Sequence, residues 1–298
     1  MRYFDPKEAT YRGFSEDFGT EVPLSITLQV TRRCNLKCIY CSELPGIPEP
    51  TMDEILSYAR DLRGIERVIV SGGEPTLRGD LPDILQGLRR LGFPVLSLAS
   101  NATLVTPDLA MALRKTLDYV DVTIDGTQAV HNEIRGQFDS VIHGARMLRN
   151  AGLPLCIVTV LIQKNRHTIP EILKLANELN ALRVKIISPI PKGRGQSLGD
   201  QVLASQEIAS LHEELSQLKQ ESGWSFSITI TDWAHVREGH ALLVHPDGEV
   251  VASPVPDSPG CVRRIGRVPG MDAKEIWDAY PYKENHIQKY FDRSLFVC

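Results

Sequence analysis

The chain has 298 residues, with 33 Lys and Arg against 37 Asp and Glu and a net charge of −4, so it offers no polycationic face for nucleic acid. With 42% hydrophobic residues it can bury one large core or a core plus an appendage, and no apolar run approaches the roughly 18 residues of a membrane span. Six cysteines without an apolar export segment suit a reducing cytoplasm, where thiols stay free.

Residues 1–22 read as a polar, irregular extension whose Tyr3, Phe4, Tyr11, Phe14 and Phe18 drape over the core. A structural unit then repeats. A strand over 25–30 leads to a capping box at Thr51 and Glu54, which opens a helix carrying Ile55, Leu56, Ala59 and Leu62 on one face. A strand over 67–70 precedes a helix that Asp80 can cap and Gly92 ends. The strand over 95–99 is followed by Thr106 and Pro107, an N-cap and a proline at the first helical position. Further strands cover 119–124, 155–162 and 184–188. A helix from Asp139 or Ser140 to Gly152 and another opened by a Thr168–Glu171 capping box separate them. Apolar strands alternating with amphipathic helices predict a parallel sheet wrapped by helices, with functional groups just past the strands' C-terminal ends. The Gly- and Pro-rich stretch 189–195 marks a boundary. Beyond it come a helix over 206–220, strands at 226–230, 242–244 and 250–251, the last two joined as a hairpin by Pro246-Asp247-Gly248, and a short helix over 273–278.

Cys34, Cys38 and Cys41 follow the first strand at C-x3-C-x2-C spacing. Closed zinc sites and ordinary 4Fe-4S sites take four protein ligands, so three thiolates leave one metal corner open for a substrate or cofactor. A zinc knuckle would carry a second Cys or His pair, yet only His131 and His143 occur between Cys41 and Cys156. The triplet points to an iron–sulfur cluster.

The triplet, joined to Gly72-Gly73-Glu74-Pro75 after the second strand, resembles the radical S-adenosylmethionine (radical SAM) superfamily. The resemblance implies that Cys34, Cys38 and Cys41 hold three irons of a 4Fe-4S cluster, while the amino and carboxylate groups of S-adenosyl-L-methionine (AdoMet) chelate the fourth. It places Tyr40 near the adenine. Gly72 and Gly73 would let the backbone approach the ligand, and Glu74 would meet the methionyl ammonium. Val122-Thr-Ile-Asp-Gly126, then His131-Asn-Glu-Ile-Arg-Gly136, resembles the SPASM/twitch subfamily's S-x-D-G followed by H-(D/N)-x-x-R-G. That implies Thr123 facing the ribose and Arg135 forking the AdoMet carboxylate. It also implies Ser100 and Asn101 near the cofactor and Leu161 against adenine. Ordinary strand packing for Thr123 and Leu161, and a surface ion pair for Arg135, are the alternatives.

The last third resembles the SPASM/twitch appendage with its metal ligands eroded. Expected cysteines fall at Val236 and Ser253, while Pro246-Asp247-Gly248, Ile265-Gly266-Arg267 and Glu275-Ile276-Trp277 still match. Cys261 and Cys298 cannot alone fill a four-ligand site, and no metal-like spacing links them to His235, His240 or His245. Cys156 reads as a core residue. The expected architecture is α/β: a partial (β/α)6 TIM-like barrel over 23–195, the N-terminal extension over 1–22, and a small α+β SPASM/twitch-like region over 196–298.

The resemblance implies cleavage of AdoMet to a 5′-deoxyadenosyl radical and hydrogen abstraction from a substrate carbon, foremost in maturing a peptide or small protein. A small molecule such as an antibiotic, sugar or cofactor precursor is the alternative substrate. A non-enzymatic iron–sulfur carrier or sensor is the alternative of another class, and would need neither the 72–75 motif nor Arg135. Loss of auxiliary ligands favours redox-neutral chemistry or a reaction quenched by a hydrogen donor. Expected partners are the substrate and a reductant such as flavodoxin or ferredoxin. With about 24 residues before the first strand, a leader-peptide-binding protein would be separate. Nucleic acid and membrane are not expected. Asp125, Lys185 and Cys261 are the catalytic candidates, with His131, Asp232 and His235 by position. A hydrogen-bonded polar residue at a strand end is the alternative for each.

Overall fold

The computed structural model describes residues 3–8, 10–13, 19–43, 46–232, 238–292 and 296–297; Phe14, Phe18, His235, Val236 and Cys298 lie outside them. In chain order the elements are β1 (Tyr3–Asp5), β2 (Thr10–Arg12), β3 (Ser25–Gln29), α1 (Met52–Asp61), β4 (Arg67–Ser71), α2 (Leu81–Arg90), β5 (Val95–Ser100), α3 (Pro107–Arg114) and β6 (Tyr119–Thr123). There follow α4 (Gln128–Ile134), α5 (Phe138–Asn150), β7 (Leu155–Val160), α6 (Gln163–Arg166), α7 (Ile169–Glu178), β8 (Arg183–Ile187), α8 (Ser205–Ser222) and β9 (Ser227–Thr231). Last come β10 (Ala241–Val244), β11 (Glu249–Ser253), β12 (Arg263–Arg267), α9 (Ala273–Ala279), α10 (Lys283–Gln288) and β13 (Phe296–Val297). None of the described helices is long and apolar enough to cross a membrane.

The six strands β3 to β8 run parallel and in sequence order, each joined to the next through a helix. This is the partial TIM-like barrel. The sheet does not stop there. β9 adds a seventh parallel strand beside β8, and β10 pairs in parallel with β3 at the other edge. β11 and β12 extend that edge antiparallel, with the expected β10–β11 hairpin in register from Ala241↔Ser253 to Val244↔Val250. The chain beyond residue 195 therefore supplies both flanks of one eleven-stranded sheet.

Strand alternation gives the sheet two chemically distinct faces. Outward positions such as Leu28, Val70, Leu98, Val122, Ile157 and Ile186 join the helix-side core. That core takes the stripe Leu81, Ile84, Leu85 and Leu88 of α2, each such side chain contributing roughly 1.5–3 kcal/mol when buried. The alternate, inward positions include Ser25, Arg67, Asp121, Thr123, Arg183 and Lys185, so the barrel's inner wall is unusually polar.

The N-terminal extension is not irregular. β1 and β2 form a hairpin, and Phe4 and Tyr11 are buried with Tyr119, Cys156 and Tyr290. They cover the N-terminal ends of the strands. The aromatic spacing was visible in the sequence, but three-residue strands are too short to show a period.

The capping box at Thr51 forms, with Thr51 Oγ1 accepting from Glu54 N at 3.2 Å and Glu54 Oε2 accepting from Thr51 N at 2.8 Å. Thr106 also caps α3. Asp80 does not cap α2, because Arg78 takes both its carboxylate oxygens at 2.7–2.8 Å. Thr168 does not close the second box either, since its hydroxyl donates to the Asn165 carbonyl. The helix expected from Asp139 or Ser140 starts at Phe138, whose N–H is taken by Asn132 Oδ1.

Two helical glycines separate propensity from space. A Cβ on Gly87 in α2 would meet only the flexible end of Leu56, at 2.6 and 2.9 Å, whereas on Gly144 in α5 it would lie 1.9 Å from the Ala102 backbone carbonyl. Gly87→Ala should be neutral or stabilising by up to about 1 kcal/mol. Gly144→Ala should cost about 1–3 kcal/mol despite the same propensity gain. Chemical denaturation of both variants checks this, and equal effects would contradict the assigned α5 packing.

Candidate active site

The loop after β3 carries the three cysteines and is held from several directions. Gly73 N donates to Thr31 O and Glu74 N to Arg33 O, both at 2.8 Å. Ile39 N reaches Ile134 O at 3.1 Å. Arg194 clamps the loop's far end, with N to Cys41 O at 2.9 Å and Nε to Cys38 O at 2.8 Å. Asn101 Nδ2 donates to Asn35 Oδ1 at 2.9 Å. Gly72 and Gly73 have a strict reason to be glycine, since a Cβ would stand 2.3 Å from Thr31 O or 2.2 Å from Arg33 O. Their backbone meets the cysteine loop itself.

A cavity of about 340 Å³ opens at the C-terminal ends of the strands. Its wall includes Cys34, Cys38, Tyr40 and Cys41 from the first loop, and Gly72, Gly73 and Glu74 from the second. Ser100, Asn101, Thr123 and Arg135 complete the set that the sequence singled out. Leu161 is not among them. It faces the helix-side core, because side chains alternate along an extended chain and its neighbour Val160 takes the cavity side. The cavity's far wall is Ser188, Pro189 and Ile190. The Gly- and Pro-rich sequence there read only as a boundary, although Gly193 (φ +59°) is pressed within 2.7 Å of Cys41 O at its missing Cβ.

Glu74 is buried, and its carboxylate is fully engaged. Oε1 accepts from Thr76 N, Thr76 Oγ1 and Ser100 Oγ at 3.0, 2.6 and 2.8 Å, and Oε2 accepts from Asn101 N at 2.6 Å. It therefore fixes the turn after β5 on the cavity wall.

Arg135, Asp125 and Tyr40 form one buried group. Tyr40 OH donates to Asp125 Oδ2 and accepts from Arg135 Nη1, which lies 3.3 Å from the same carboxylate oxygen. Asp125 Oδ1 accepts from Val160 N at 2.8 Å. Burial pushes the Asp125 carboxyl up and the Arg135 guanidinium opposes it. Asp125 lies behind the cavity wall and Arg135 on it. His131 supports the turn rather than the cavity: its Nδ1 accepts from Asp125 N at 3.1 Å. Burial pulls its pKa down to about 3, so the ring stays neutral.

The other candidates scatter. Lys185 projects into the barrel below the cavity, two residues before Ile187. Asp232, just past β9, accepts from Ser188 Oγ at 3.1 Å. Cys261 is buried with its thiol on the Pro191 carbonyl at 3.5 Å, beside a second cavity lined by Arg32, Lys192 and His245. Arg32 and Lys192 both pair with Glu43 there.

The donor set fits a multi-iron cluster better than a single ion. Cys34, Cys38 and Cys41 are free thiols on one wall. Among the described residues no three His, Cys, Asp or Glu side chains converge on one metal point. Thiolates that each address a different iron need not converge. Burial raises the Cys34 thiol pKa, opposed by Leu36 N, which points at its Sγ at 3.4 Å. Burial lifts the Cys38 thiol to about 11, so a metal ion would have to displace a proton there.

A family model described as "Radical SAM superfamily" matches residues 28–176. An AdoMet-dependent heme synthase of Methanosarcina barkeri is 32% identical over 204 residues, 65% of this chain and 58% of that one. A PqqA peptide cyclase of Gluconobacter oxydans is 31% identical over 197 residues, 62% and 54% of the two chains. The chain thus spans little more than half the length of these relatives. The solved structure of anSMEcpe with bound AdoMet and Kp18Cys peptide superposes with a TM-score of 0.69 at 17% identity, covering 90% of this chain and 83% of that one; at that identity the likeness is one of fold. The family model covers half the chain and contains the cysteine triplet, the glycine turn and Arg135: the chain belongs to the radical SAM superfamily.

Proposed function

We propose that this chain uses a 4Fe-4S cluster on Cys34, Cys38 and Cys41 with AdoMet to abstract a hydrogen atom from a carbon of a peptide or small-protein substrate. The observation that carries the reading is the shared cavity wall, which joins the three thiols to Gly72, Gly73, Glu74, Ser100, Asn101, Thr123 and Arg135. A bare electron carrier has no use for such a wall. When bound, the cluster and AdoMet together supply a 5′-deoxyadenosyl radical.

The protein's part is to hold, orient and keep dry. Gly72 and Gly73 seat the cysteine loop, and Arg194 clamps its end, so the thiols are spaced before any metal arrives. Arg135, fixed by Asp125 and Tyr40, presents a guanidinium to a carboxylate in the cavity. Glu74 orients Ser100 and Asn101, and Thr123 offers a hydroxyl at the end of β6. Val158, Val160 and Ile187 give the cavity an apolar side that shields a reactive carbon from water.

The peptide reading is supported by the peptide cyclase relative. The heme synthase relative supports a second reading in which the substrate is a small molecule. A reductant such as flavodoxin or ferredoxin, and a separate leader-peptide-binding protein in the peptide case, belong to the same proposal.

Anaerobic reconstitution should yield about four irons per chain and, with dithionite and AdoMet, 5′-deoxyadenosine detected by chromatography. Cys34→Ala, Cys38→Ala and Cys41→Ala should each fall to background. A wild-type protein with an intact cluster and no 5′-deoxyadenosine would favour the carrier or sensor.

Arg135→Lys keeps a cation near Asp125 and loses the planar fork. Its AdoMet dissociation constant, read by equilibrium binding, should rise about 10- to 100-fold at unchanged iron content. Unchanged affinity would remove Arg135 from the AdoMet-binding set.

A further inference from the structure

The inner wall of the barrel beneath the cavity is built around positive charge. Arg67, Arg183 and Lys185 face inward from β4 and β8, and Asp121 on β6 is the carboxylate that interacts with all three. The Arg67 guanidinium lies 4.3 Å from the Phe4 ring centroid and 5.6 Å from that of Tyr119, with its Nε unpartnered. Arg183 places Nη1 on the Pro6 carbonyl at 2.8 Å and Nη2 3.8 Å from Asp121 Oδ1. Lys185 makes no hydrogen bond or ion pair among the described residues, and its side chain is partly buried.

Position decides where that ammonium looks. Lys185 shares its face of β8 with Ile187, and its register partner on β7 is Val158; both line the AdoMet-side cavity. Its partner on the other side is Thr229 of β9. On β5 and β6, Ser97 Oγ, Tyr119 OH and Asp121 Oδ1 are buried without a hydrogen-bonding partner. Three inward cations share one carboxylate, Asp121, so the wall carries net positive charge, and buried charge that is not balanced is costly. Desolvation holds the Lys185 pKa below the usual lysine value, opposed by Asp121 and reinforced by the two arginines, and an anion at Nζ would raise it.

We infer that the substrate carries an anionic oxygen group, a carboxylate or a phosphate, which enters the barrel below the AdoMet wall and pairs with Lys185. This rests on the proposed radical chemistry and narrows its substrate: in a peptide the group is an acidic side chain or a terminal carboxylate near the reacting carbon. Arg183 and Arg67 set the positive field, and Asp121 keeps Arg183 aligned.

The test is calorimetric titration of the reconstituted, AdoMet-loaded full chain with succinate, with inorganic phosphate, and with neutral succinamide. At least one anion should saturate the wild type while succinamide does not bind. Lys185→Met and Lys185→Gln should weaken that anion at least about tenfold, and Lys185→Arg should retain most of it. Succinate alone binding assigns a carboxylate, and phosphate alone assigns a phosphoryl group. Formation of 5′-deoxyadenosine without substrate, measured in each variant, reports folding and should stay near wild type. Wild-type protein that binds neither anion, or variants that bind as well as it does, overturn the inference. Lys185-dependent anion binding in a protein that makes no 5′-deoxyadenosine would instead overturn the radical reading and leave the anion site standing.

Discussion

The site depends on one close approach between two loops. The backbone of Gly72 and Gly73, leaving β4, lies so near the Thr31–Arg33 backbone, leaving β3, that no side-chain carbon fits between them. Two 2.8 Å backbone hydrogen bonds close the contact. Because β3 and β4 are neighbours in register, from Ser25↔Arg67 to Gln29↔Ser71, their ends are delivered side by side. The loops then have little freedom left. The cysteines stand on a platform whose position is set by sheet pairing, and the entropy of ordering that platform is met during folding rather than at ligand binding.

Around that contact the molecule divides its labour by strand parity. One face of each strand holds the helices with Leu, Ile and Val. The other face lines a chamber of hydroxyls, arginines and a lysine. A polar barrel interior is expensive unless its groups are paired. Arg183 meets Pro6 and Asp121 and Arg67 lies against two aromatic rings, while Ser97 Oγ and Tyr119 OH stay unpartnered. The N-terminal hairpin belongs to this economy, since Phe4 and Tyr11 close the chamber at the end away from the cavity. The last third of the chain belongs to it as well, with β9 and β10 carrying the inward wall past both edges of the six-stranded unit.

Much of this was legible in the sequence, and unevenly so. The six parallel strands declared themselves because each is a largely apolar run and the first five lead into amphipathic helices. The cysteine triplet and the 72–75 turn declared themselves because their spacing is rare. Arg135 sits on the cavity wall, but its partnership with Tyr40 across 95 residues has no local signature. Leu161 illustrates the limit of strand reading: one residue of offset decides between cavity and core, and β7 ends at Val160. Asp80 and Thr168 illustrate another, because a cap residue also has competing partners, Arg78 and Asn165, that only the folded chain brings close. β9 looked like part of an appendage because the Gly- and Pro-rich stretch before α8 interrupts the repeat. In the fold that stretch packs on the cysteine loop, and the repeat resumes beyond it.

The central claim is that Cys34, Cys38 and Cys41 leave one iron to be ligated by AdoMet. Electron paramagnetic resonance of the dithionite-reduced, reconstituted protein tests it directly. A 4Fe-4S signal should appear whose g-values shift when one equivalent of AdoMet is added, with no such shift in Arg135→Lys at the same concentration. A signal indifferent to saturating AdoMet, in protein holding its full iron, would contradict it.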